Sequence, residues 1–254
     1  MNKLDSNSAG FVSHHKHLPI SERMILAVER QASLYGKEGA RVAAILKDAG
    51  TRNGAAIQHY YGDKETLIDA AFVYRAQAFN RWAGHYRAAL ASTEVQLNHL
   101  ILGMLGAWSY ILKQTTPYCY HAGFLQKMHW FSVDSQTARN MTGEMKAFYT
   151  DVALYLKQAL GETEMRARIG LGALQVISAV AAKERELRER LSETPASAAE
   201  LASEIDRYAI ELSESIAANL LRERYQPFAS DPVELLRAAD KRCGEAQWVT
   251  QAID

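Results

Sequence analysis

From Pro19 onward, apolar residues recur at steps of three and four, the spacing that lines one face of a helix. Met24, Ile25, Val28, Ala32 and Tyr35 make the first such stripe, with Ser21 placed to cap it and Gly36 and Gly39 to end it. Val42 to Ala49 predicts a short second helix closed by Gly50, Asn53 to Tyr61 a third, and Lys64 to about Ala89 a much longer fourth. Thr93 and Gln96 read as a capping box for a helix that finishes near Pro117. Tyr118 to Trp130, Asp134 to Leu160 and Glu164 to about Leu191 follow, the last apolar in its first half and charged in its second. Ser197 and Glu200 form another capping box, for a helix to about Glu223. Asp231-Pro232-Val233-Glu234 joins a cap, a first-turn proline and a back-bonding Glu at the start of a last helix. No segment alternates with period two between hairpin turns, so the fold class is all-α.

Residues 1–18 are polar, carry His-His-Lys-His at 14–17, and read as a flexible arm. Contiguous histidines on an arm lack fixed geometry, so no metal site is expected there. The rest divides into a three-helix domain over 19–64 and a larger helical domain over 65–254.

Composition sharpens this picture in two places. Hydrophobic residues make up 48% of the 254, enough for a packed core, while Lys+Arg and Asp+Glu are balanced at 29 each. Global charge therefore says nothing for nucleic acid, but residues 14–64 hold eight basic against five acidic side chains. Residues 76–254 hold 19 basic against 21 acidic, with no such excess. Cys119 and Cys243 stand far apart without metal spacing, which favours a reduced setting. No start-of-chain apolar stretch resembles a signal peptide, and no uncharged apolar run reaches the roughly 18 residues of a span. A cytoplasmic protein with no membrane partner is expected. No phosphate loop, nucleophile elbow, His-Glu-x-x-His or Cys cluster appears, so neither an enzyme nor a cofactor is expected.

The third helix carries the chemistry. Helix, tight glycine turn, helix is the layout in which a second helix enters the major groove. With Asn53 to Tyr61 helical, Gly54, Ile57 and Tyr61 share the side that packs on the first two helices. Ala55, Gln58 and His59 take the opposite side, beside Tyr60, with Arg52 at the entrance. Gln pairs bidentately with adenine, Arg with guanine or phosphate, and Ala meets a thymine methyl or leaves room. Thr51 or Asn53 can cap the helix, and Lys64 suits a phosphate contact that fixes register. A bland alternative stays open at this point: a helical small-molecule-binding protein or enzyme whose first three helices are only structural.

The stretch resembles the DNA-binding segment of the TetR family of bacterial transcriptional regulators. Ile25 to Gly39 is similar to that family's opening helix, with an Ile-Leu pair ahead of an aromatic and a glycine. Ile45, Leu46, Ala49 and Gly50 sit where the family has its Ile-Ala…Ala-Gly turn. Gly-Thr-Arg-Asn-Gly-Ala-Ala-Ile-Gln-His-Tyr-Tyr-Gly-Asp-Lys-Glu-Thr-Leu resembles a branch with a Gly-x-Arg-Asn start. The likeness covers residues 21 to about 76. It departs in a shorter connection from Gly39 to Ile45, in lacking a Thr/Ser start to the second helix, and in one extra residue between Gly54 and Lys64.

The resemblance implies a ligand-responsive regulator, a repressor released from a palindromic operator by a small, largely apolar molecule. It implies a homodimer through the helices at 164–191 and 199–223, where Gly170, Gly172 and alanines allow close contact. Aromatic and Met residues are dense between 104 and 149, and Trp108, His121, Phe124 and Met128 are the candidate effector-lining residues.

Overall fold

A computed structural model describes residues 8–91, 93–128, 143–194, 196–222, 227–228 and 231–245. Among them are eleven helices and no strand, so the chain is all-α. In order they are α1 (Ser8–His15), α2 (Ile20–Gly39), α3 (Val42–Asp48), α4 (Ala56–Tyr61), α5 (Lys64–Leu90) and α6 (Leu97–Thr115). There follow α7 (His121–Lys127), α8 (Gly143–Leu160), α9 (Glu162–Glu193), α10 (Ala198–Leu221) and α11 (Pro232–Glu245). Trp130 and Asp134, expected to end one helix and begin the next, lie outside the described residues.

The chain divides into two compact units. The first takes Met1–Arg75, Thr115–Asn140 and Ala173–Ala196; the second takes Ala76–Gln114, Met141–Gly172 and Ser197–Asp254. Helices α5 and α9 thus each contribute residues to both.

In the first unit, Met24, Ile25, Val28 and Ala32 of α2 meet Ile45 and Leu46 of α3, Ala56 and Ile57 of α4, and Leu67, Ile68 and Phe72 of α5. Tyr120 and Phe124 complete this core from the segment around α7. The turn after α3 follows from Gly50, whose φ of 68° side chains avoid. Thr51 N–H donates to the Leu46 carbonyl (3.0 Å) and Gly50 N–H to that of Lys47 (3.0 Å), the paired bonds of a Schellman motif. Gly36 (φ 74°) kinks α2 three residues before its end.

Some local expectations differ from the structure. Helix α2 begins at Ile20 behind Pro19, so Ser21 lies inside the helix rather than capping it. Residues 8–15 of the expected flexible arm form α1, because Phe11 has a hydrophobic site to fill and is 1% exposed. The third helix begins at Ala56, since the Asn53 Oδ1 accepts from Ala55 N–H (3.0 Å) and turns the chain first; Gly54 is exposed rather than packed. Helix α6 begins at Leu97, later than a cap at Thr93 predicts, and Gln96 N–H donates to His99 Nδ1 (3.1 Å).

In the second unit, Trp82 stacks on Tyr86 at 5.2 Å, and α6 supplies glycines where rings arrive. A Cβ on Gly106 would stand 2.2 Å from the Trp82 ring, and one on Gly103 2.6 Å from Phe148. Lys113 of α6 bridges Asp206 of α10 (2.7 Å) and Asp240 of α11, while Trp82 Nε1 donates to Asp240 (2.6 Å). Ser197 and Glu200 make the capping box that their spacing predicts. Helix α9 is long and apolar enough to cross a membrane by length and composition, and 22% of its most apolar stretch is buried. Leu171 and Leu174 stand out on it as exposed leucines.

Candidate nucleic-acid interface

Helix α4 is six residues long, too short to hold itself in water, so its place depends on what it buries. Ala56 and Ile57 are nearly inaccessible, at 3% and 4% exposure. Tyr61 is half-buried, and its hydroxyl donates to the Ser21 carbonyl at the start of α2 (2.9 Å). Burial, helped by the Glu22 charge, pushes that phenol up to about 12, so it stays neutral and keeps donating. Gly62 (φ 81°) closes the helix, its N–H donating to the Gln58 carbonyl. Asp63 Oδ1 then accepts from Thr66 N–H (2.7 Å) and starts α5; hydrogen bonds from Thr66 hold its carboxyl below the usual range.

With one side of α4 anchored, the other is bare. Arg52, Asn53, Ala55, Gln58, His59 and Tyr60 are all exposed, and Thr51 is half-exposed at the turn. The Thr51 hydroxyl accepts from Asn53 N–H (3.2 Å), so Thr51 and Asn53 together shape the entry to the helix. Neither the Arg52 guanidinium nor the Gln58 amide has a side-chain partner among the described residues. His59 and Tyr60 meet edge to face at 4.7 Å, an aromatic step beside Gln58. Arg41 and Lys47 of the α3 region are exposed as well. Lys64 is less available than its neighbours: it is half-buried, and its Nζ donates to the Lys37 carbonyl (3.2 Å). Lys37 itself pairs with Glu65, so the start of α5 is tied to the end of α2.

The four side chains singled out for an effector have different surroundings. His121, Phe124 and Met128 belong to the first unit, and Trp108 to the second. Phe124 is fully buried against Phe72 (4.6 Å between rings), and Met128 packs on the same core. His121 Nδ1 lies 2.9 Å from Glu29 Oε1, a carboxylate that also accepts from Arg75 Nε (3.2 Å) and Nη2 (3.1 Å). Burial opposes the Glu29 charge, but Arg75 and the His121 hydrogen bond outweigh it and hold the carboxyl at about 2. Trp108 is 5% exposed, with Tyr208 at 6.3 Å.

Two further buried carboxylates organise the first unit. Asp48, the last residue of α3, accepts from Arg30, from Gln31 Nε2 (2.5 Å) and from Ser8 Oγ (2.5 Å). Glu184 of α9 accepts from the backbone N–H groups of Ala122 (2.9 Å) and Gly123 (3.2 Å), capping α7 from another element, and from Cys119 Sγ (3.2 Å). Arg188, one turn on, donates to the Cys119 carbonyl (2.5 Å). The sequence carries a signal for two of the buried acids. Glu29 falls four residues after Ile25 and three before Ala32, and Glu184 four after Val180 and three before Leu187: both sit on an apolar stripe.

The chain matches no protein-family model, and no curated protein matches it.

Proposed function

We propose that this chain is a sequence-specific DNA-binding regulator of the helix-turn-helix type, related to the TetR family. One observation carries the reading: a short helix fixed by Ala56, Ile57 and Tyr61 turns Arg52, Asn53, Ala55, Gln58, His59 and Tyr60 outward together. Exposed Arg and Gln on a helix that follows a tight turn suit bidentate contacts in the major groove, and Thr51 and Lys64 flank them for backbone contact. Unsatisfied polar groups on a packed surface cost nothing while water covers them, and a duplex replaces that water with base edges.

In this reading the protein acts as a homodimer whose two copies of α4 address half-sites roughly 34 Å apart on a palindrome. The exposed Leu171 and Leu174 on an apolar, largely uncovered helix favour α9 as part of the contact between copies, together with α10. A small, largely apolar effector releases the DNA, as the resemblance implies, so operator and effector weaken each other's binding reciprocally.

Selection of random duplexes by the full-length protein, repeated at several salt concentrations, tests the proposal. Recovery of a discrete palindrome supports it. Binding without sequence preference even at low salt overturns it, and leaves a helical small-molecule-binding protein or enzyme in its place.

A further inference from the structure

Helix α1 has eight residues, Ser-Ala-Gly-Phe-Val-Ser-His-His, too few to be stable alone in water. Its order comes entirely from what it touches. Phe11 is 1% exposed, edge-on to Tyr118 and Tyr120 at 6.0 Å each, with the Arg30 guanidinium 5.5 Å from its centroid. Ser8 Oγ donates to Asp48, the residue that ends α3. Val12 Cγ1 lies 3.0 Å from where a Cβ on Gly50 would stand. Two of these three contacts fall at the junction of α3 with the turn into α4, so α1 braces the element that aims the exposed ridge.

The other end of α1 holds a buried ring nitrogen with no hydrogen-bond partner among the described residues. His15 is 6% exposed, its ring 4.6 Å from that of Phe11 and 6.3 Å from that of Tyr118, and its Nε2 is buried without a hydrogen-bond partner. The charged and titratable groups acting on it are His14 and His17 beside it in the chain, Arg75 of α5 and Glu29 of α2. Glu29 gives little relief, since both its oxygens serve Arg75 and one also meets His121. A second cation at His15 would therefore be desolvated and repelled by the buried Arg75.

We propose that α1 is a detachable strut that positions the turn between α3 and α4, and that protonation of His15 detaches it. Acid then loosens the DNA-reading helix without any effector. Only this consequence for DNA reading rests on the proposed function.

The sign follows from burial first, then His14, Arg75 and His17, which push His15 down to about 4 against a small opposing pull from Glu29. A histidine more acidic when docked than when free favours the docked form fully above about 6.5 and loses that advantage as pH falls toward 4. Between pH 7 and pH 5 the docking equilibrium should fall roughly 20-fold.

Hydrogen–deuterium exchange on the full-length protein without DNA reads this directly, after correction for the intrinsic pH dependence of exchange. Protection of residues 8–15 should drop about 20-fold from pH 7 to pH 5, with Gly50 and Thr51 losing protection alongside. In His15→Phe, which keeps the packing and cannot be protonated, both segments should stay protected at pH 5. In Phe11→Ala, both should open already at pH 7. Should His15→Phe fold poorly, His15→Gln serves as the neutral control. Equal loss in wild type and the His15 variant, no protection of residues 8–15 at pH 7, or opening of α1 that leaves Gly50 and Thr51 protected would each overturn the strut. With a selected duplex in hand, affinity should fall at pH 5 in wild type and hold in His15→Phe. A chain that selects no duplex defeats the regulator while the exchange result stands.

Discussion

Helices α4 and α7 are both single short helices of the first unit, and they are opposites. In α7 the buried groups are already used: Glu184 caps its first N–H groups, Glu29 holds His121, and Phe124 is sealed beneath Phe72, leaving only Gln126 and Lys127 exposed at its end. In α4 the apolar residues are used and the polar ones are not. Composition does not separate the two, since each offers a His, at least one Phe or Tyr and a Gln. What separates them is whether another element of the same chain satisfies the polar groups. A helix whose hydrogen-bonding capacity is consumed internally is architecture; one whose capacity faces water is available for a partner.

Substitutions can break this contrast, beginning with α7. Glu184→Ala would leave the Ala122 and Gly123 N–H groups and Arg188 without their carboxylate in the interior, at a cost of about 3 kcal/mol in denaturant unfolding. Glu29→Gln should cost a comparable amount at neutral pH by stranding the Arg75 charge. It also removes a pH dependence. A carboxyl held near 2 when folded gives stability that is present above its ordinary value near 4.5 and lost as pH falls toward 2. Acid unfolding followed by circular dichroism should be flatter over that window in Glu29→Gln; an unchanged acid limb would mean the buried pair is not what acid breaks.

At the turn the effect is smaller. Gly50→Ala forces a side chain to φ 68° and against Arg23 and Val12, costing about 1–2 kcal/mol of thermal stability. On α4 itself the fold should hardly notice. Arg52→Ala and Gln58→Ala should keep stability within about 0.5 kcal/mol of wild type, since neither side chain is engaged. The same two changes should lose about 1–3 kcal/mol of duplex affinity, and only at particular base pairs. Loss of stability without loss of sequence preference would invert the comparison and assign α4 to the scaffold.

The residue pattern made some of these elements readable and hid others, for identifiable reasons. Gly50 as the turn, Ser197 with Glu200 as a capping box and Asp231 before Pro232 are signals contained within a few residues, and the structure uses each of them, with Asp231 Oδ1 accepting from Val233 N–H (2.9 Å). The face of α4 was readable because Ile57 and Tyr61 fix its rotation, although the helix starts late at Ala56. Helix α1 was hidden because its only large apolar anchor is Phe11 and its order is supplied by Tyr118, Tyr120 and Asp48, which lie far away in the chain. The run 183–191 reads from the sequence only as charged, yet Glu184 and Arg188 turn inward to serve a segment about 60 residues earlier. Spacing reports which residues share a face; it does not report which distant segment that face will meet.

The buried carboxylates of Asp48, Glu29 and Glu184 act as locating pins. Each is matched to donors fixed at one height on another helix, so a neighbour that slid by a turn would leave an ion stranded among hydrocarbons. Greasy surfaces alone tolerate such slippage; charge in a dry interior does not. Assembly of this region is therefore indexed, with one seating per helix and little in between.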